Sequence, residues 1–164
     1  MTGCYQKPKV LFIGGSVNQT SICHEIARHL EATCNCFFTP YYTDHPLAKK
    51  LMDARLLDFT TLGGKFRRQT EEYLKKNRLP VDYGGRLHDY GLVVTTSDLL
   101  IQDNIRGKKI ILVQEGMTDP ENPATALVKF LRLPPWMALN TSAFGLSGAY
   151  DYFCVASQGY KQHF

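Results

Sequence analysis

The sequence predicts an α/β domain of three layers, in which helices cover both faces of a mainly parallel sheet. Short apolar runs, such as residues 10–13 and 109–113, lack the polar alternation of half-exposed strands, and this is typical of strands buried on both faces. Stretches with helical spacing of apolar residues separate these runs, which favours βαβ units. A length of 164 residues with 44% hydrophobic content suits one globular domain with a sizeable core.

The amino-terminal unit is a strand, a glycine turn and a helix. Residues 10–13 form the predicted strand, and Gly14, Gly15 and Ser16 follow it directly. Apolar residues at helical spacing predict a helix over residues 19–31, with Asn18 as its cap. Such a unit can present backbone N–H groups to an anion. The alternative is a tight turn that binds nothing.

The middle of the chain continues the alternation. Pro40 ends a second strand, and a glycine pair closes the segment before the next long helix. The predicted elements are a strand at 36–39, a helix from Pro46 to about Leu56, a strand or helix tail at 57–62, and a helix after Gly63 and Gly64.

The helix after Gly64 is the most basic part of the chain. Pairs such as Glu71 with Lys75 and Glu72 with Lys76 are one turn apart and predict ion pairs. Its cations either form a solvated face or contact an anionic membrane surface. The basic residues of this segment are Arg67, Arg68, Lys75, Lys76 and Arg78.

The second half of the chain adds three further strands. Residues 80–90 read as a loop that contains His88, a position that is more often solvent-exposed than part of a site. The remaining predicted elements are strands at 92–94, 109–113 and 152–156, a helix at 123–131 capped by Asn122, and a final helix from Ser157.

Two carboxylates follow strands at the same edge of the predicted sheet. Asp98 comes after the strand at 92–94, and Glu115 comes after the strand at 109–113. Ligands of parallel sheets bind beyond the carboxyl ends of the strands, so we expect both to face the turn at residues 14–18. Asp119 either lines this cleft or builds a turn with Pro120. The competing interpretation is that Asp98 and Glu115 only cap loops or helix ends.

Composition excludes several classes of protein. The net charge of +4 is too small to indicate a nucleic-acid partner. Five cysteines without zinc-site spacing predict reduced core thiols, and nothing in the sequence indicates a metal or a cofactor. No apolar run approaches the roughly 18 residues of a membrane span, and residues 1–9 lack a signal-peptide core. We therefore expect a soluble, cytoplasmic protein.

Taken together, these motifs resemble the N-terminal Rossmann-like half of a GT-B glycosyltransferase, in the group that includes the UDP-N-acetylglucosamine 2-epimerases. The glycine turn at 14–16 resembles the first-strand loop of that group. Ser97-Asp98 followed by Glu115-Gly116 resembles its acid and Glu-Ala-Gly-type motifs. Asn140-Thr141, with the strand that ends at Ala156-Ser157, resembles its last crossover.

The resemblance implies that residues 1–164 are a single domain that receives the acceptor, whereas a C-terminal domain or partner subunit holds most of the nucleotide-sugar. It implies a half-enzyme that is inactive alone. Glu115 would be the general base, and Asp98 a second candidate base or an acceptor ligand. Gly14, Gly15, Ser16, Asn18, His88 and Asp119 would contribute to substrate binding.

Two other functions stay open. The epimerases carry basic residues in the first loop, where this chain has Ser16, Val17, Asn18 and Gln19, which favours a transferase over a UDP-sugar 2-epimerase-like half-enzyme. The remaining alternative is a non-enzymatic module that binds a small anionic ligand or a partner protein.

Overall fold

The computed structural model describes residues 6–58, 60–97, 101–115 and 148–155, and it confirms the predicted α/β class. Five parallel strands form one sheet in the order β2-β1-β3-β4-β5. The strands are β1 (Lys9–Gly14), β2 (Asn35–Pro40), β3 (Leu92–Thr95), β4 (Lys109–Val113) and β5 (Tyr152–Cys154). The helices are α1 (Val17–Leu30), α2 (Pro46–Asp53) and α3 (Gly64–Lys76), with a 3-10 turn at Asp103–Ile105.

One isolated β-bridge on the outer side of β2 adds a further position to this strand order. Val81 pairs with Phe38 in parallel, because the Phe38 N–H donates to Pro80 O at 2.8 Å and the Asp82 N–H donates to Phe38 O at 2.9 Å. Counting this rudimentary strand gives six positions in the doubly wound Rossmann order 3-2-1-4-5-6. The fold is therefore Rossmann-like, and its strand order reverses between β1 and β3.

Alternating side chains of β1 place the core on both faces of the sheet. Leu11 and Ile13 are fully buried in one cluster with residues of α2 and the turns after it, whereas Phe12 is fully buried in the other with Cys23 and Leu74 of α1 and α3. The strands predicted from apolar runs are fully buried at Leu11, Ile13 and Val93, but four other residues of these predicted strands are only half-buried. These four are Phe37, Ile111, Val113 and Val155.

Helix α1 begins earlier than predicted, and Ser16 rather than Asn18 caps it. The Ser16 Oγ accepts from the Gln19 N–H at 3.2 Å, while the Gln19 side chain accepts from the Ser16 N–H at 3.0 Å. This reciprocal capping box satisfies the exposed donors of the first turn. Asn18 lies inside the helix with an exposed side chain, so its predicted capping role was wrong.

The segment after α2 is neither a strand nor a helix tail. Helix α2 ends at Asp53, and residues 57, 58 and 60–62 form turns. The Thr60 hydroxyl donates to Leu57 O at 2.7 Å and accepts from the Leu62 N–H at 3.2 Å. This local bonding competes with strand pairing, and Val81 takes the position beside β2 instead.

Two predicted elements, the helix at 123–131 with its Asn122 cap and the helix from Ser157, lie outside the described residues. The strand predicted at 152–156 is confirmed over Tyr152–Cys154.

Buried thiols make the fold sensitive to alkaline pH. Among the described cysteines, all are free, and burial raises the pKa of Cys23 to about 12 and that of Cys36 to about 11. The ordinary value of 9.0 applies to the unfolded chain, so above pH 9 the unfolded state loses protons that the folded state keeps. The contribution of these two thiols to stability is therefore complete below about pH 9. It is lost as the pH rises toward their pKa values in the folded state.

We expect the free energy of unfolding, measured with urea under reducing conditions, to decrease from pH 8 to pH 10.5. Cys23→Ala should make this decrease shallower, while the exposed Cys154→Ala should leave it unchanged. An equal pH dependence in Cys23→Ala and the parent would assign the loss of stability to other groups.

Candidate functional site at the carboxyl edge of the sheet

The strand ends of β1, β3 and β4 meet at one edge of the sheet, where the strand order reverses. In doubly wound sheets this reversal leaves a crevice in which ligands bind. The turn of residues 14–16 follows β1, residues 96 and 97 follow β3, and Gln114 and Glu115 follow β4. We refer to this place as the switch-point edge.

Glu115 reaches the glycine turn across the end of β3. The Ser16 hydroxyl donates to Glu115 Oε1 at 3.4 Å, although β1 and β4 are not neighbours in the sheet. Adjacent strands are about 4.8 Å apart, so the two residues span roughly two strand spacings above β3. Both are partly exposed, which leaves the pair accessible to a ligand.

The backbone donors of the glycine turn are already bonded within the chain. Gln19 Oε1 accepts from the N–H groups of Gly15 and Ser16, each at 3.0 Å. A Cβ on Gly15 would lie 2.3 Å from that oxygen and 3.0 Å from Thr61 Cβ, so only glycine fits there. These two N–H groups were predicted to meet a substrate, and the structure gives them to Gln19 instead.

Uncharged polar side chains dominate the buried wall of this edge. The Thr70 hydroxyl donates to Gly15 O at 3.2 Å, and the Thr20 hydroxyl donates to Ser16 O at 2.7 Å. Thr96 is fully buried at the end of β3, and its Oγ1 has no hydrogen-bond partner among the described residues. Buried hydroxyls are normally paired, so the partner of Thr96 is not among the described residues.

Among the described residues, Glu115 supplies a carboxylate to the switch-point edge, and the nearby Arg67 guanidinium, which donates to Tyr41 O at 3.5 Å, is paired with Glu71. Within the described part of the chain, Glu115 forms no ion pair with a Lys, Arg or His side chain. The same part contains no group of three or more His, Cys, Asp and Glu side chains that could hold a metal ion. The Glu115 carboxylate can accept a proton, and the hydroxyl and amide groups beside it can form hydrogen bonds.

His88 does not belong to this edge. Its Nδ1 lies 3.3 Å from the Nζ of Lys9, the first residue of β1, and its ring packs on Phe37 with centroids 4.5 Å apart. Because β1 rises about 3.3 Å per residue, Lys9 lies about 16 Å from the end of that strand. The His88 side chain therefore lies near the amino-terminal end of β1, and its role in substrate binding stays a prediction.

Asp98 and Asp119, the other two predicted acidic site residues, lie outside the described residues. Asn18 is exposed at the start of α1, two residues after Ser16. Thus the structure joins Ser16 and Glu115 and keeps Gly14 and Gly15 beside them.

The basic helix is present as α3, with a different ion pair from those predicted. Arg67 Nε donates to Glu71 Oε1 at 3.0 Å, whereas neither Glu71 nor Glu72 pairs with a lysine among the described residues. Arg68, Lys75, Lys76 and Arg78 are exposed. Contact between these cations and an anionic membrane surface stays a prediction.

Sequence reasoning missed Gln19, although a signal for it exists. Ser16-Val17-Asn18-Gln19 has the spacing of a capping box, a serine followed by glutamine three residues later. That pattern identifies both the true cap and the acceptor for the turn's N–H groups.

The fold and this edge define a Rossmann-like α/β domain with a carboxylate at its switch point. Comparison of the chain with protein-family models, curated proteins and solved structures found no match. Within the described residues, no helix is long and apolar enough to cross a membrane.

Proposed function

We propose that this chain is the acceptor-side domain of a glycosyltransferase that moves a sugar from a nucleotide-sugar to an acceptor hydroxyl. The observation that carries the proposal is the Glu115 carboxylate, which stands 3.4 Å from the Ser16 hydroxyl at the switch-point edge. Glycosyl transfer needs a base that accepts the proton of the attacking hydroxyl. A partly exposed carboxylate that pairs with no cation among the described residues has that capacity.

The surroundings of Glu115 suit an acceptor better than a nucleotide diphosphate. A diphosphate is normally held by cationic side chains or free backbone N–H groups. Here the N–H groups of Gly15 and Ser16 are bonded to Gln19, and the buried wall consists of hydroxyl and amide side chains. The donor nucleotide would therefore be held by a second domain or subunit.

In the proposed step, the acceptor hydroxyl donates its proton to Glu115 while its oxygen attacks the anomeric carbon of the sugar. The bond from that carbon to the nucleoside diphosphate breaks, and the diphosphate leaves with the bonding electron pair. Ser16 holds the carboxylate in place through its hydroxyl, and the capping box fixes Ser16 in turn. Pre-positioning of this kind lowers the entropic part of the barrier.

The test is to purify the tagged chain from its source organism together with any bound partner, and to assay a panel of nucleotide-sugars. We expect release of nucleoside diphosphate that depends on an added acceptor extract and yields a glycosylated product. Epimerisation of the sugar without an acceptor would support the epimerase-like alternative. Absence of either reaction from the complex would favour the non-enzymatic module.

A further inference from the structure

The first turn of α1 has the backbone of an anion-binding site, but its donors face an internal acceptor. Gln19 is fully buried, and its Oε1 lies 3.0 Å from both the Gly15 and the Ser16 nitrogen. A carboxamide oxygen in that position does what a phosphate oxygen does in a phosphate-binding turn. The turn therefore carries its own substitute for an anion.

A second feature repels anions from the same place. The Glu115 carboxylate lies at the N-terminal end of α1 through its contact with Ser16, where the helix dipole favours a negative charge. With one carboxylate already there and no ion-paired cation among the described residues, a second anion meets like-charge repulsion. Gln19, from α1, occupies the N–H groups of the turn, and Glu115, from the end of β4, places a negative charge beside it.

We propose that Gln19 and Glu115 together close the β1–α1 turn to anionic ligands, so that the compound bound at this edge presents neutral hydroxyl groups to it. An anion would have to break both N–H bonds to Gln19 and move a buried side chain before it gained the Gly15 and Ser16 donors. A neutral hydroxyl, in contrast, can donate to Glu115 without disturbing the capping box. The identity of this compound as the acceptor rests on the proposed function, whereas the exclusion of anions does not.

Gln19 does more in this turn than cap α1. A residue that only stabilises α1 would change stability when replaced, but it would not change what the turn binds. Gln19→Ala removes the internal acceptor and leaves the Gly15 and Ser16 N–H groups open. Gln19→Glu is the matched control, because it keeps the side-chain length and the acceptor oxygens.

The experiment follows the backbone amide signals of Gly15 and Ser16 by NMR while formate, and separately inorganic phosphate, is added to the chain. Formate is the smaller probe and matches the removed carboxamide in shape. We expect no saturable shift in the wild-type chain or in Gln19→Glu. Gln19→Ala combined with Glu115→Gln should show saturable shifts, with formate bound at least about tenfold more tightly than the limit that the wild-type titration sets, the change expected from one recovered hydrogen bond of about 1.4 kcal/mol.

Saturable shifts of both amides in the wild-type chain would overturn the proposal, because the turn would then already be open to anions. It would also be overturned if the double variant folded and bound no more tightly than the wild type. Gln19→Ser replaces Gln19→Ala if the latter does not fold, and the wild-type titration decides by itself if neither folds. None of these outcomes depends on sugar transfer, so failure of the transferase assay leaves them interpretable.

Discussion

Replacing Glu115 by Gln is expected to lower the rate constant for sugar transfer by about 10²–10⁴-fold, the range typical of losing a general base. Glutamine has the same length and can still accept a hydrogen bond from Ser16, so the geometry at 3.4 Å can persist. It cannot accept the proton of the acceptor hydroxyl. The acceptor KM should change little, and the measurement is the initial rate in the purified complex at saturating acceptor.

Glu72→Gln provides the control for this variant. It makes the same chemical change on the exposed face of α3, and we expect its rate to stay within twofold of the parent. A Glu115→Gln rate within a few-fold of the parent would make Glu115 a structural residue. Because His88 lies at the other edge of the sheet, the role of base would then pass to Asp98 or to the second domain.

The fold was predictable because each strand can be recognised from its own short run of residues. A run such as Lys109–Val113 can be recognised as a strand without knowledge of its neighbours, and the alternation of strands with helices predicts that the strands are parallel. The same regularity predicted that Glu115 and the glycine turn would share an edge, because all parallel strands end at the same side.

Side-chain competition for backbone groups was harder to predict. Thr60 bonds to Leu57 and Leu62 and prevents a strand at 57–62, whereas the apolar pattern alone fits a strand. The position of His88 just before β3 made it a candidate site residue. A position in a loop, however, does not determine at which edge of the sheet the side chain lies. Gln19 could have been recognised from the capping-box spacing, since that signal is local.

The loop that leads into β3 depends on one buried carboxylate. Asp82 is 1% exposed, and it accepts from the N–H groups of Arg86 at 3.0 Å and Leu87 at 2.9 Å and from the Tyr90 hydroxyl. Burial, and next the Asp82 carboxylate, raises the pKa of Tyr90 above its usual range. Among the described residues no cation pairs with Asp82, so hydrogen bonds alone compensate for its burial.

Asp82→Ala is therefore expected to lower the free energy of unfolding by about 2–3 kcal/mol. It leaves the buried Tyr90 hydroxyl without its acceptor, which costs about 1–3 kcal/mol, and it removes the acceptor of the partly buried Arg86 and Leu87 N–H groups, which water can reach more easily. The expected loss is a substantial part of the roughly 5–15 kcal/mol that stabilises a typical domain. Urea unfolding at pH 7 measures it. Asp82→Asn should lose less stability than Asp82→Ala, because its one side-chain oxygen can still accept a hydrogen bond. Asp53→Ala, on the exposed end of α2, should stay within about 0.5 kcal/mol of the parent. If Asp82→Ala instead lost less than about 1 kcal/mol, the loop into β3 would be held by packing of Tyr90 and Leu11 rather than by the carboxylate.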